Sequence, residues 1–168
     1  TGLLTDTGNF LYSSATNINI AIASEMLDYG AQFPKIVNNT LRNKNLLSMR
    51  LLGIAVNNLR LNEKYNLAYS VITKADIDEL MERETPLEIE KYLNSDIYGD
   101  ISGFLSTLSN VKATMFLREE ADGKIKGSLR TSKPGVDISG LAKKLGGGGH
   151  AKASGFLVRG HLVKTETG

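Results

Sequence analysis

Leu145-Gly146-Gly147-Gly148-Gly149-His150-Ala151-Lys152-Ala153-Ser154-Gly155-Phe156 separates an amphipathic stretch from an apolar, strand-like one. A single glycine is enough to end a helix in the left-handed conformation. Four in a row lose far more conformational entropy on folding than a cap requires. The usual return is bare backbone, whose N–H groups can approach a ligand closely, most often an anion. His150 adds a side chain that can donate to phosphate or stack on a base. A flexible linker is the competing reading, and the helix before the run and the strand after it argue against that. The run is not a Walker phosphate loop, which needs Gly-Lys-Ser/Thr at the start of a helix. Here the glycines follow a helix.

Outward from this run, Asp137 is a good N-cap for a helix over Ile138–Leu145, and Phe156–Arg159 reads as a final strand. Upstream, Ala121-Asp122-Gly123-Lys124 is a hairpin turn between strands over Ala113–Arg118 and Ile125–Thr131. Asp100–Leu108 reads as a helix, and residues 83–100 are polar and give no clear element. Asn66–Thr73 is rich in strand formers, and a helix begins at Lys74. These elements predict a small mixed α/β domain over residues 64–168. Leu46–Leu61 has helical spacing and is expected to connect two domains, leaving 46–63 as the joining segment and 1–45 as a separate part. In that part, Asn17 or Asn19 can cap a helix ending near Gly30, and Phe33–Leu41 reads as a second short helix. Gly2–Gly8 reads as the end of a buried strand running into a turn. The first residue is Thr1 and leads straight into Leu3-Leu4, as expected of a chain that starts inside a larger fold.

The composition narrows the chemistry. There is no cysteine, which excludes disulfides, thiolate catalysis and cysteine-ligated zinc and fits a reducing cytoplasm. No apolar run reaches transmembrane length and no signal-peptide pattern is present, so no membrane partner is expected. Charge is unevenly spread. Residues 1–110 carry 9 Lys and Arg against 13 Asp and Glu, whereas residues 111–168 carry 11 against 5. A basic, glycine-rich segment suits a polyanionic partner.

Two further constellations stand out. Asp6, at the expected strand end, is placed where α/β folds hold ligands and could bind a divalent metal, although a turn-forming role is an equal reading. The triplet Asp6-Thr7-Gly8 also occurs in aspartic proteases, but those need a second carboxylate sharing one proton, and the surrounding sequence is helix-rich. Arg130-Thr131-Ser132 ends the second hairpin strand and offers a bidentate phosphate ligand with two adjacent hydroxyls. Arg118 lies on the neighbouring strand, and the sequence leaves open whether it faces the same side. His161 reads as a surface residue.

Together these residues resemble one family. Thr5-Asp6-Thr7-Gly8-Asn9-Phe10 with Ser14 and Thr16 is similar to the last metal-binding motif of the DHH phosphoesterases. Ser128–Ser132, Val136-Asp137-Ile138-Ser139 and Gly146–His150 followed by Ala153-Ser154-Gly155 resemble its DHH-associated substrate-binding domain. The nearest subfamily in these motifs is that of the bacterial oligoribonucleases, or nanoRNases, which also dephosphorylate 3′-phosphoadenosine 5′-phosphate. The resemblance implies an α/β fold: the C-terminal part of a DHH domain, joined by a helix to a small mixed-sheet substrate-binding domain. It implies two manganese ions in the complete site, with Asp6 as the one metal ligand carried over and the Asp-His-His signature absent from this chain. Arg118, Arg130, Thr131, Ser132, Gly147, Gly148, Gly149 and His150 would bind substrate, and which of Thr131 and Ser132 contacts phosphate stays open. The implied partner is short single-stranded RNA or a small nucleotide, with a homodimer left open. A non-catalytic nucleotide-binding module and a cyclic dinucleotide phosphodiesterase are the other readings.

Overall fold

The structure is a computed structural model and describes residues 1–11, 14–83, 97–120 and 122–163. Ala121 of the hairpin turn and residues 84–96 of the polar stretch lie outside the described residues. The chain divides into two compact units, Thr1–Asn45 and Leu46–Gly168.

The described residues of the first unit form three helices, α1 (Gly2–Asp6), α2 (Asn17–Asp28) and α3 (Phe33–Thr40). Where a strand end is expected, α1 is a helix. The Thr5 hydroxyl donates to the Gly2 carbonyl and the Thr7 hydroxyl to the Leu3 carbonyl, at 3.0 and 2.7 Å. These local bonds favour a turn of helix, and two leucines are too short an apolar run to specify a strand. Gly8, Asn9 and Phe10 then reverse the chain with φ of 55°, 61° and 63°. The cap of α2 is Thr16, one residue before the expected Asn17. Thr16 and Asn19 form a reciprocal capping box.

The second unit is built on a six-stranded sheet in the order β1-β2-β3-β4-β6-β5. Its strands are β1 (Arg60–Asn62), β2 (Leu67–Ile72), β3 (Ala113–Glu120), β4 (Lys124–Arg130), β5 (Gly148–His150) and β6 (Ala153–Arg159). Among the described residues only the β2–β3 pair is parallel. Its helices among the described residues are α4 (Leu46–Asn57), α5 (Lys74–Met81), α6 (Ile97–Leu105) and α7 (Ser139–Lys144). The segment after Asn57 turns into the short edge strand β1, where the helical spacing predicted helix to Leu61. Three residues carry too little pattern to announce an edge strand.

Period-two alternation assigns the sheet two cores. On one face Ile72 and Phe116 join Leu47, Leu51 and Ala55 of α4, Leu80 of α5, and Ile97, Ile101 and Leu105 of α6. The buried Ser70 hydroxyl ties this face to α4 by donating to the Ala55 carbonyl at 2.6 Å. On the other face Ala113, Leu129 and Phe156 pack with Ile138 and Ala142. Helices α4–α6 thus cover β2 and β3, and the same face of β4, β6 and β5 carries mainly polar residues and glycine, with Ala153 and Leu157 of β6 beside them.

Candidate functional site

The face left open is organised by strand register. Residues paired across antiparallel strands project on the same side. One row runs Thr114, Arg130, Ala153, His150 from β3 to β5, and the next runs Phe116, Ser128, Gly155, Gly148. A third holds Arg118, Lys126 and Leu157. A floor with nothing larger than serine on β4, β6 and β5 is therefore bordered by Arg130 and His150 on one side. Lys126 and Arg118 border it on the other. A cavity of 840 Å³ opens over it, lined by Arg118, Lys126, Ser128, Arg130, Gly147 and Gly155 among others, with Tyr98 of α6 as a wall.

The four glycines have separate tasks. Gly146, with φ of 75°, ends α7: its N–H bonds the Lys143 carbonyl and the Gly147 N–H bonds the Ala142 carbonyl at 2.8 Å. This is a Schellman termination. A Cβ on Gly147 would lie 2.1 Å from the Gly155 carbonyl oxygen. Gly149 has φ of 130°, and its Cβ would meet the Ala153 carbonyl oxygen at 2.6 Å. A Cβ would meet open space at both Gly146 and Gly148, and of these two only Gly148 also lacks the left-handed φ. The run is therefore edge strand β5, held against β6 along one side, and not the loop its composition suggests. The Ser154 hydroxyl fastens the β5–β6 turn by donating to the His150 carbonyl at 2.9 Å.

Charge around the cavity is partly compensated. Arg118 donates from Nε and Nη2 to Glu120 Oε1 at 3.0 and 2.7 Å. Its guanidinium carbon lies 3.7 Å from the centre of the Tyr98 ring. Burial pushes the Tyr98 phenol above its ordinary value, against the opposing pull of Arg118. Lys124 pairs with Asp122. Arg130 makes one side-chain bond, to the Leu129 carbonyl at 3.1 Å, and neither it nor Lys126 has a carboxylate partner among the described residues. The uncompensated positive charge lies along β4.

The structure brings Arg118, Arg130 and Gly147 to one cavity, with Gly148 and His150 on the same face of the sheet. Gly149 packs under the turn. Thr131 is buried, and its hydroxyl donates to the Lys112 carbonyl at 2.6 Å while accepting from the Lys133 N–H. Ser132 is exposed. Asp137 caps α7 from one residue before the N-cap, which is Ile138. The Asp137 carboxylate accepts from the hydroxyl and N–H of Ser139, and these bonds hold it below its ordinary value. Lys126 is not singled out by sequence reasoning and Ser128 enters only as the first residue of the family motif, yet alternation from Arg130 back through 128, 126 and 124 places both on its face. Tyr98 lies in the stretch whose sequence gives no element, and only the packing of α6 brings it here.

Asp6 is exposed at the end of α1. Among the described residues no three His, Cys, Asp or Glu side chains are grouped to hold a metal ion. Asp6 by itself therefore does not make a two-metal centre. No helix among the described residues is long and apolar enough to cross a membrane.

The DHHA1 domain family matches residues 65–164. The chain is 32% identical over 158 residues to the bifunctional oligoribonuclease and PAP phosphatase NrnA of Bacillus subtilis, covering 94% of this chain and 45% of that protein. It is 29% identical over 160 residues to the protein of the same name from Thermus thermophilus, covering 95% and 44%. A crystal structure of an exopolyphosphatase-related protein from Bacteroides fragilis superimposes with a TM-score of 0.75 at 28% identity. That match covers 99% of this chain and 44% of that one. The chain thus spans less than half the length of these relatives.

Proposed function

This chain belongs to the DHHA1 domain family, and on that premise we propose that its second unit binds the terminal nucleotide of a short oligoribonucleotide or an adenosine bisphosphate. It would do so as the substrate-binding half of a phosphoesterase. The observation that carries the reading is Arg130. Its guanidinium opens into an 840 Å³ cavity without a carboxylate partner among the described residues, on one row with His150 and beside a glycine floor. An arginine fork kept available in a concave site matches phosphate geometry. Lys126 adds a point charge, and Gly148 lets a phosphate or sugar approach the backbone. The names of the NrnA relatives supply the substrate class.

The resemblance implies two manganese ions in the complete site; Asp6 would be this chain's one ligand to them, and the ions would supply Lewis-acid chemistry for phosphoester hydrolysis. Calorimetric titration of a short oligoribonucleotide at low and high salt tests the binding role. Affinity should fall steeply as salt rises, because phosphate contacts release counterions. Absent binding, or binding indifferent to salt, would remove the proposal.

A further inference from the structure

The two ends of the cavity differ in kind. At one end, three planar groups from α6 and β3 are packed together. The Arg118 guanidinium lies 3.7 Å from the Tyr98 centroid, and the Tyr98 and Phe116 rings stack at 6.4 Å with 26° between their planes. Glu120 Oε1 takes two of the guanidinium N–H groups, which fixes its rotation and cancels its charge locally. The Arg118 side chain is only 14% exposed. At the other end Arg130 is an uncompensated fork, while Lys126, level with Arg118, brings a single point charge that cannot make the bidentate phosphate contact. A phosphate ligand needs net charge and unspent donors, and Arg118 has given up much of both.

From this asymmetry we propose that Tyr98, Arg118 and Glu120 form a nucleobase seat, with the phosphate of the same ligand at Arg130. Arg118 is then a positioning and stacking residue instead of a phosphate ligand. The proposal rests on the nucleotide reading above and adds an orientation to it. A base offers a π face and exocyclic or ring N–H donors. The phenol–guanidinium layer supplies the matching plane, since arginine and tyrosine both stack on bases. Glu120 Oε2 has no protein donor among the described residues and can accept from the edge of the base. Between the two ends lie Ser128, Gly155 and Gly148, one step of about 7 Å along the strand from Arg130. That low floor takes the sugar.

Adenosine 5′-monophosphate titrated into the chain at several salt concentrations separates the two ends. Tyr98→Leu, Arg118→Gln and Arg118→Lys should each weaken binding roughly tenfold, the scale of one lost base stack, with the salt dependence as steep as in the wild type. Tyr98→Phe, which keeps the ring, should recover most of the binding that Tyr98→Leu loses, and thermal melts matching the wild type report that each variant is folded. Arg130→Gln should flatten the salt dependence by about one unit of slope. Ribose 5-phosphate, which lacks the base, should bind more weakly than adenosine 5′-monophosphate and be insensitive to the Tyr98 and Arg118 changes. The seat is overturned if Arg118→Gln flattens the salt dependence as Arg130→Gln does, or if Arg118→Lys or Tyr98→Leu binds like the wild type. Equal binding of the two ligands by the wild type overturns it as well. Failure of wild type to bind adenosine 5′-monophosphate at any salt would instead refute the nucleotide reading itself.

Discussion

At the residue scale, the glycine run shows how one composition conceals four different requirements. Gly147 and Gly149 leave no room for a Cβ, and Gly149 adds a backbone angle that side chains avoid. Gly148 has neither constraint, so its lack of a side chain serves the face it exposes and not the fold. Gly147→Ala and Gly149→Ala should therefore lower the melting temperature by several degrees, whereas Gly148→Ala should melt like the wild type and bind nucleotide more weakly. Thermal melts beside binding isotherms distinguish these outcomes. The same logic applies to Arg130 and His150, whose side chains leave no buried partner behind when truncated. Each alanine variant should weaken nucleotide binding by about 1–3 kcal/mol, the range of charge-assisted hydrogen bonds, with an unchanged melt. Thr131→Val should do the opposite. It strips the Lys112 carbonyl and the Lys133 N–H of their partner and should cost about 1–3 kcal/mol of stability, with nucleotide affinity retained.

At the element scale, β3 carries both faces of the argument. Its even positions give Phe116 to one core and Arg118 and Glu120 to the cavity, while odd Glu119 fastens other elements to the sheet. The Glu119 carboxylate accepts from the Lys74 N–H at the start of α5 and from the Leu162 N–H after β6, both at 2.8 Å. These two donors, the Lys74 bond foremost, hold its proton affinity below the ordinary value of 4.5. A carboxylate with a depressed folded-state pKa stabilises the fold above its unfolded pKa, and the contribution disappears as pH falls through the folded value. Glu119→Gln should thus lower the melting temperature at neutral pH. The gap to the wild type should narrow once the pH drops below about 4, where the unfolded carboxylate takes up its proton. A gap constant with pH would mean that the carboxylate charge contributes nothing.

At the scale of the whole molecule, the binding surface and the metal chemistry are unequally represented. The second unit has a formed cavity and its own two cores. The first contributes Asp6 without a clustered set of metal-binding groups among the described residues. Residues 1–168 alone should accordingly bind short oligoribonucleotides yet show no appreciable manganese-dependent phosphodiesterase activity. One carboxylate cannot hold two ions in a reactive geometry. Turnover of a dinucleotide by the purified chain with added manganese would contradict this.

The sequence by itself determined the elements with strong local signals. The hairpin at Asp122-Gly123, the strand over Asn66–Thr73 and the helices at Lys74 and Phe33 follow from turn chemistry, alternation and capping, which act over a few residues. It also determined the family, through Arg130-Thr131-Ser132 at its distance from the glycines and His150. The tertiary structure decided what needs long-range pairing. Gly148–His150 is a strand because β6 supplies its hydrogen-bonding partner, and Arg60–Asn62 because β2 does. Gly2–Asp6 is a helix because threonine hydroxyls close on carbonyls one turn back, where two leucines alone are ambiguous. Within the motif, register separated Arg130, on the cavity face, from Thr131, buried against the Lys112 carbonyl. Adjacent residues on a strand point to opposite faces, and only the packed sheet shows which face is covered.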